Sequence, residues 1–452
     1  LIYMRKIIAA LIILPFFISN PINSQKMWTL EECIAYAHKN NITIKRQEIQ
    51  TEITKNNLKQ SYIDVLPDFG AGASHNIGKG RVADYSNFSY SNTLNSGSMG
   101  IRSNVTLFSG FQKINTIKME QYNFLSAKEN LQKAKNDIAL TIASAYLQIL
   151  FDRELYNLSQ SQVELAKQQV EKTKKLYEVG NVSKGSLLEM EASYAAEVAS
   201  ETSAKNKLDI SYLTLAQILD LDTLKDFEIA IPEVLVPDSF NENPDTIYHL
   251  ALNNMPQIKS YEYSLKSAEK QLAIARGGRL PQLTMSADYY TQYNLDAERP
   301  IDPANPYITE KYPVKDQLND KLYKQLSINL SIPIFSKYQL ETRIKNAKLS
   351  KLDAEFALRQ SQLQLRKEIQ QAYTDALASF ENYKSRKQAL EAQEENFKYV
   401  QQKYDVGMIS SIDYNIARNN LNKAKSDLLQ AKYQFIFNIK VLDFYKGNNI
   451  TL

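Results

Sequence analysis

The chain has 452 residues, and its 54 Lys plus Arg against 50 Asp plus Glu give a formal net charge of +4. The charges are interspersed, and no basic run or aromatic-basic patch stands out, so the sequence lacks the signature of a nucleic-acid-binding protein. The single cysteine, Cys33, excludes an intrachain disulfide framework and a cysteine-rich metal site.

The first 24 residues have the layout of a secretory signal peptide. A basic segment at residues 4–6 precedes eleven apolar residues at 7–17, and cleavage after Ser24 would leave Gln25 at the new amino terminus. Eleven apolar residues are too few for a stable membrane span, although a short N-terminal anchor helix is the alternative. We therefore expect an exported protein.

Four later segments alternate apolar and polar residues, at residues 69–76, 99–107, 283–289 and 326–334. Such alternation is typical of membrane β-barrel strands, which face lipid on one side and a polar lumen on the other. Two hairpins on a soluble sheet are the alternative, because alternation alone does not distinguish them. Four strands cannot close a barrel, since the smallest have about eight, so the pattern predicts a barrel shared among subunits.

The segments between paired strands are polar. Residues 78–98 are rich in Ser, Asn, Gly and Tyr, and residues 294–324 are rich in Pro, Asp and Tyr. Long outer loops and short inner connections are typical of bacterial outer-membrane barrels. We therefore predict a polar loop at both positions.

Two long segments, residues 111–178 and 336–405, contain neither Pro nor Gly and consist mainly of good helix formers. At ~1.5 Å per residue, each would extend about 100 Å as a helix. Apolar residues recur every three or four positions, which predicts one narrow buried seam. A plain coiled coil would explain the seam equally well, but it would not explain the strands that precede each helix.

Each long segment ends in a repeated Val-Gly turn. Gly180 and Gly407 suit the left-handed position that terminates a helix. Returning helices are predicted to start at Ser186 and Ser410, because an acid follows each serine after three residues, as in a capping box.

The chain is internally duplicated. Residues 176–183 recur as 403–410, and residues 105–109 recur as 332–336, both at an offset of 227. Two copies of strand, turn and long helix constrain the architecture strongly. The predicted organisation is a signal peptide at 1–24, a first repeat at 25–220, a linker at 221–245, a second repeat at 246–442 and a tail at 443–452.

With these doubled features, the chain resembles the TolC family of outer-membrane channel proteins. The resemblance rests on the two Val-Gly tips, a doubled Leu-Pro strand entry at 66–67 and 280–281, and a doubled Phe-Ser strand exit at 108–109 and 335–336. It implies a mainly α fold in which long antiparallel helices form a periplasmic α-barrel. It also implies that four strands per chain enter a shared, trimeric, twelve-stranded β-barrel.

The same resemblance implies an outer-membrane homotrimer of a Gram-negative bacterium that extends into the periplasm. Its expected partners are a periplasmic adaptor (membrane fusion) protein, an inner-membrane pump or ABC secretion ATPase, and outer-membrane lipid. The expected function is passive conduction of drugs, metals or polypeptides to the exterior. A periplasmic coiled-coil adaptor without a barrel is the alternative, but it would need a compact β-rich domain.

The resemblance also assigns functional residues to the tips. The residues expected to dock the adaptor are Val179, Gly180, Val182, Ser183, Val406, Gly407, Ile409 and Ser410. Tyr404 and Asp413 match the gating tyrosine and ring aspartate of the family, whereas Ser186 and Ile409 replace the aspartate and arginine of its polar latch. Interhelix packing is the alternative role for Tyr404, and helix capping is the alternative for Asp413.

No pattern in the sequence points to catalysis. His38, His75 and His249 lie far apart, and neither a phosphate-binding loop nor a nucleophile elbow occurs. We therefore expect no enzymatic activity, no cofactor and no metal site.

Overall fold

The computed structural model describes residues 27–84, 89–221, 227–232, 236–302 and 304–451. The predicted signal peptide, residues 1–24, lies outside the described residues, and so do parts of the predicted linker. Within the described ranges, none of the helices combines the length and the apolarity that crossing a membrane would need.

The two halves of the chain contain similar elements in similar order. The first half has β1 (Met27–Trp28), α1 (Leu30–Asn40), α2 (Ile42–Ile63), β2 (Asp68–Asp84), β3 (Ser89–Ser109), α3 (Gln112–Glu178) and α4 (Lys184–Ile218). The second half has β4 (Glu228–Ile229), α5 (Pro244–Asn254), α6 (Pro256–Gly277), β5 (Gln282–Asn294), β6 (Glu298–Asp302), β7 (Asn305–Lys311), α7 (Val314–Asp320), β8 (Tyr323–Ser331), α8 (Gln339–Asp405) and α9 (Ser411–Lys446).

The two long helices, α3 and α8, have 67 residues each. At ~1.5 Å per residue, each extends about 100 Å, as the sequence predicts. The returning helix α4 begins earlier than predicted, because its N-cap is Ser183 and not Ser186: the Ser183 hydroxyl accepts a hydrogen bond from the Ser186 N–H at 3.2 Å. The predicted cap at Ser410 is correct, since its hydroxyl accepts from the Asp413 N–H at 3.2 Å.

The main sheet has four antiparallel strands in the order β2-β3-β5-β8. It contains all four predicted strands, two from each half of the chain. β2 and β8 each pair with a neighbour on one side only, so the sheet of a single chain is open at both edges.

Most of the predicted polar loop at residues 78–98 is strand, because β2 runs to Asp84 and β3 starts at Ser89. Small polar residues do not prevent this pairing, since the backbone supplies the ladder of hydrogen bonds. At its other end β8 stops at Ser331, short of the predicted Ile334. Pro333 follows closely, and a proline has no N–H to donate to a ladder.

The second predicted loop, residues 294–324, is also structured, since it forms the β6–β7 hairpin and α7. The fully buried side chain of Gln317 fixes this unit. Its amide accepts from the Asn294 N–H and donates to the carbonyls of Asn294 and Tyr312, each at 2.8 Å. The polar composition of the segment predicted a loop here. Composition does not show that one of the polar side chains is buried and holds the segment together.

The helices pack in two arrangements. The first is a row of four helices below the sheet, which lie side by side in the order α2, α3, α6, α8. In the second, α4 packs along α3 and α9 packs along α8, so that two antiparallel coiled coils form. The largest apolar core joins α1, α3, α4 and α9 around Tyr146, whose hydroxyl donates to the carbonyls of Trp28 and Ala230.

The sheet connects to the long helices through the same left-handed turn in both halves. Gly110 and Phe111 have φ values of 60° and 61°, and Lys337 and Tyr338, exactly one repeat offset later, have 50° and 66°. Of these four residues only Gly110 is buried, and an added Cβ would lie 2.2 Å from the Gly277 carbonyl oxygen. The duplication therefore extends to backbone conformation.

Candidate functional site

The first tip is a tight helix-terminating turn at the end of α3. Gly180 has φ of 79°, its N–H donates to the Tyr177 carbonyl at 2.9 Å, and the Asn181 N–H donates to the Leu176 carbonyl at 2.9 Å. This pair of bonds is the Schellman arrangement, in which a left-handed residue satisfies the last carbonyls of a helix. The predicted role of Gly180 as a helix terminator therefore matches its backbone.

The second tip has the same geometry at the end of α8. Gly407 has φ of 76°, its N–H donates to the Tyr404 carbonyl at 3.0 Å, and the Met408 N–H donates to the Lys403 carbonyl at 2.9 Å. A Cβ added at Gly407 would have no atom within 4 Å. An alanine at this position would therefore strain the backbone without its Cβ colliding with a neighbour.

The tips present apolar side chains to solvent. Val179 is 70% exposed and Val406 is 69% exposed, while Val182 and Ile409 are half-buried beneath them. Ser183 and Ser410 cap the returning helices. All eight residues expected to dock the adaptor thus lie in the two turns or in the first residues after them.

Contacts between the two coiled coils bring the tips next to each other. The Lys172 ammonium on α3 lies 2.6 Å from an Asp405 carboxylate oxygen on α8, and the Ser411 hydroxyl on α9 donates to the Glu189 carboxylate on α4. Each contact joins the last turns of one coiled coil to the other. The two tips therefore form a single surface at the end of the molecule.

The two residues assigned to the gate have local contacts in the described chain. The Tyr404 ring stacks on Tyr414 at 4.6 Å between centroids, so it packs inside the α8–α9 coiled coil. Asp413 is exposed, and one of its carboxylate oxygens accepts from the Ser410 hydroxyl at 2.8 Å. These contacts match the packing and capping alternatives, and both roles are compatible with a further role in a gate.

Ser186 and Ile409 stand where the resemblance predicts polar latch residues. Ser186 hydrogen-bonds with Ser183 in its own turn, and Ile409 packs half-buried in the second tip. The described connections between α4 and α9 come from a set of polar side chains that the sequence analysis missed. These are Glu189, Ser193 and Glu197 on α4, and Ser411, Arg418 and Asn422 on α9.

A sequence signal for this set does exist. The α4 members are spaced by four residues, and the α9 members are spaced by seven and four, so each group lies on one face of its helix. A charged stripe of this kind is usually a solvated face, which is why spacing alone does not identify it.

The main sheet has one mostly polar face and one mostly apolar face, on which His75 and Lys324 also lie. The register places Ser286 opposite Ser327, Thr284 opposite Asn329 and Gln282 opposite Ser331, so polar side chains form rows across β5 and β8. These rows alternate with the exposed residues Leu326, Ile328 and Leu330.

The polar face carries few charges. The Arg102 guanidinium lies 2.5 Å from an Asp288 carboxylate oxygen across β3 and β5, so these two charges compensate each other. Asp68 accepts from the Asn104 backbone N–H at 2.6 Å and from its side chain at 3.2 Å. A surface of hydroxyls, amides, one ion pair and the Asp68 carboxylate can contact water and polar solutes.

The described residues contain no cluster of three or more His, Cys, Asp or Glu that could hold a metal ion. Cys33 is fully buried, and burial raises the pKa of its thiol to about 12. Burial also lowers the pKa of His38, whose Nε2 has no hydrogen-bond partner among the described residues. Both side chains belong to the packing of α1 and not to the tips.

Comparison with known proteins places this architecture among outer-membrane proteins. A family model described as outer membrane efflux protein matches residues 34–220 and 247–442. The outer membrane efflux protein BepC of Brucella suis is 20% identical over 412 residues, covering 90% of this chain and 83% of its own length. Outer membrane protein TolC of Escherichia coli is 21% identical over 418 residues, covering 89% and 78%.

Solved structures show the same fold. The CmeC outer membrane channel of Campylobacter jejuni matches with a TM-score of 0.76 at 20% identity, covering 92% of this chain and 85% of that one. The outer membrane protein VceC of Vibrio cholerae matches with a TM-score of 0.77 at 16% identity, covering 93% and 96%. The long helices and the four-stranded sheet are therefore arranged as in these proteins.

Proposed function

The chain belongs to the outer membrane efflux protein family, and we propose that three copies of it form the exit duct of a tripartite efflux pump or type I secretion system. The observation that carries this proposal is an open four-stranded sheet continued by helices about 100 Å long. One such chain can supply only part of a tube, which closes when several copies pair through their free edges.

The size of the barrel supports three copies as the smallest number that leaves a lumen. Two copies would give eight strands, and the interior of an eight-stranded barrel is just wide enough to be filled by its own side chains. Three copies give twelve strands and leave room for a water-filled lumen. The free edges of β2 and β8 would pair between neighbouring copies, because an unpaired strand edge seeks a partner.

The helices support the same assembly. α2 and α8 are the outermost members of the α2-α3-α6-α8 row, directly below the two free strands. Both expose several large apolar side chains, which a neighbouring copy would cover. These are Ile49, Ile53 and Ile63 on α2, and Leu349, Phe356 and Leu363 on α8. In the trimer, α8 of one copy would pack against α2 of the next.

The polar face of the sheet would line the lumen, and the apolar face would contact outer-membrane lipid. The opposite assignment would place the Arg102–Asp288 pair in hydrocarbon, where charged groups cost several kcal/mol (about 2–4 kcal/mol at the midplane). Transport through such a lumen is passive, so its energy would come from an inner-membrane pump or a secretion ATPase.

The two tips would dock a periplasmic adaptor protein. Their exposed valines and open backbone turns offer a small apolar surface of the kind that a partner helix can cover. The alternative function, a periplasmic coiled-coil adaptor, is disfavoured because the described strands form one open four-stranded sheet and two separate two-stranded pairs, and not a compact β-rich domain.

Planar-bilayer recording tests this proposal. The purified protein, added in detergent, should insert and give discrete ion-conducting steps. The strand pairing can be tested in the same preparation with cysteines at Gly70 on β2 and at Asn329 on β8, which should crosslink between copies and not within one. A protein that folds in detergent but produces neither steps nor crosslinked oligomers would contradict the proposal.

A further inference from the structure

The mostly apolar face of the main sheet contains a groove. On β2 this face carries two small residues in succession, Ala71 and Ala73, which leave a depression beside the longer side chains of β3 and β5. The cavity has a volume of about 470 Å³, and its lining includes Ala71, Ala73, Met99, Ile101, Tyr289 and Leu322. We call it the outer groove. Its volume lies within the range of small-molecule sites, about 300–1,000 Å³.

The register shows that the groove belongs to the apolar face and not to the polar one. Ala71 lies opposite Ile101, and Ile101 lies opposite Tyr289, so the three side chains form one row across β2, β3 and β5. The same row ends on β8 at Lys324, which lies opposite Tyr289. The groove and this lysine therefore share the face that would contact outer-membrane lipid.

A polar pair borders the groove. The Tyr293 ring lies across Gly97, where an added Cβ would be 2.6 Å from the ring, and its hydroxyl is 3.0 Å from His75 Nδ1 on β2. The two rings also stack, with 5.9 Å between their centroids. Because His75 and Tyr293 bind each other across a glycine, they form a side wall.

Lys324 stands where the apolar face of β8 ends. It is the second residue of β8, at the end remote from α8, and the exposed Leu326, Ile328 and Leu330 follow it on the same face. The segment from Lys324 to Leu330 spans about 20 Å at ~3.3 Å per residue. An apolar band of about 25 Å, bordered by aromatic residues, is typical of membrane strands. Lys324, beside Tyr289, therefore lies at the level of the lipid head groups.

The positive charge of Lys324 is available to a ligand. Its ammonium lies 5.6 Å from the centre of the Tyr289 ring, which lines the groove. It forms no ion pair with a described carboxylate. The two acids of the neighbouring helix α7 are engaged elsewhere, since Asp316 lies 3.1 Å from Arg299 and Asp320 accepts from the Tyr312 hydroxyl at 2.7 Å.

We propose that the outer groove binds a phosphate-bearing lipid of the outer leaflet, with one acyl chain along the alanines and the phosphate at Lys324. The proposal rests on the proposed function, because only a sheet that contacts the membrane meets such a lipid. It adds one defined site per copy to a face that otherwise makes general contact with lipid. A neighbouring copy is a weaker candidate for the occupant, since strands of two copies pair in the plane of the sheet and leave its faces free.

Native mass spectrometry of the full-length protein tests the proposal, with diphosphoryl lipid A as the probe. Wild-type trimers purified in detergent should retain up to three molecules of it. They should not retain phosphatidylcholine at the same concentration, because the phosphate of that lipid is already paired with its own cation.

Two variants separate the charge from the groove. Lys324→Gln removes the cation, and Ala73→Leu fills the groove but keeps the cation. Each should lower the lipid A affinity about tenfold or more, which corresponds to about 1.4 kcal/mol. Lys324→Arg keeps a cation at the same position and should bind as the wild type does.

The matched control for Ala73→Leu is Ala287→Leu. Ala287 is also an exposed alanine on the apolar face, but it lies outside the lining of the groove. This variant should retain lipid A at the wild-type level. The same spectra report the number of chains, so a variant that does not assemble is recognised directly, and the other variant then decides.

Three results would overturn the proposal. Equal retention by wild type, Lys324→Gln and Ala73→Leu would mean that the lipid is not held at this site. Loss in Lys324→Gln alone would mean that a surface cation suffices without the groove. Wild-type trimers that conduct but retain no lipid A would refute the lipid site and leave the proposed function intact, whereas folded monomers without conducting steps would refute the proposed function itself.

Discussion

The packing of Gly110 gives a prediction about how the sheet is held on the helices. Its φ of 60° would cost an alanine about 1–2 kcal/mol. The alanine Cβ would also lie 2.2 Å from the Gly277 carbonyl oxygen and 2.7 Å from the Leu280 Cβ. Forcing one methyl group into a packed site typically adds about 1–3 kcal/mol. The more restricted unfolded chain offsets about 0.4–1 kcal/mol, so Gly110→Ala should destabilise the protein by about 1–4.6 kcal/mol.

Gly180 and Lys337 provide matched comparisons. Gly180→Ala has the same backbone strain of about 1–2 kcal/mol and the same unfolded-state offset, but no atom lies within 4 Å of the new Cβ, so the packing cost does not apply. Lys337→Gly removes strain from the equivalent turn of the second repeat, where φ is 50°, and should leave stability unchanged or raised. Thermal unfolding in detergent, followed by circular dichroism at one scan rate, should rank Gly110→Ala below Gly180→Ala and Lys337→Gly at or above wild type. Equal midpoints for the two alanine variants would refute the packing argument.

Three further predictions concern the tips and the outer end. Gly407→Val should strain the second tip by about 1–2 kcal/mol at its positive φ. Trimers should remain in the membrane, but efflux, measured by dye retention in cells, should be abolished. The control Gly185→Ala lies in a helix that tolerates alanine and should transport normally. Asp413→Asn keeps a hydrogen-bond acceptor but removes the charge. In planar bilayers the variant should therefore lose cation selectivity and should no longer be blocked by multivalent cations. Unchanged block would limit the role of Asp413 to helix capping. Gln317→Leu leaves the Asn294 backbone groups without their Gln317 partners. The β6–β7 hairpin should become sensitive to protease, while conductance stays the same. A hairpin that resists protease would show that the Gln317 amide does not hold it in place.

Local signals in the sequence predicted the parts of the fold that depend on local chemistry. Gly180 and Gly407 were identifiable as helix terminators because a positive φ favours glycine, and both adopt one. The cap of α4 was misplaced at Ser186 because an acid follows it after three residues. The repeat offset of 227 maps Ser410 onto Ser183, which is the residue that caps. Internal duplication was therefore a better guide than the local motif.

The features that the sequence did not reveal depend on contacts between distant segments. The ordered unit of β6, β7 and α7 is fixed by Gln317, whose partners lie 23 and five residues away. Glu197 and Arg418 pair across two helices from different repeats. Within its own helix, each belongs to a polar stripe whose spacing is that of an ordinary solvated face. Periodicity reports which face of a helix is polar, but it does not report which polar face is buried.

The central claim is that three chains together form one closed channel. Native mass spectrometry of the detergent-extracted protein tests this claim most directly. The free edges of β2 and β8 and the exposed apolar residues of α2 and α8 predict a single species with three times the mass of the mature chain. A folded, detergent-bound species with the mass of one chain would contradict the account, because four strands cannot close a barrel by themselves.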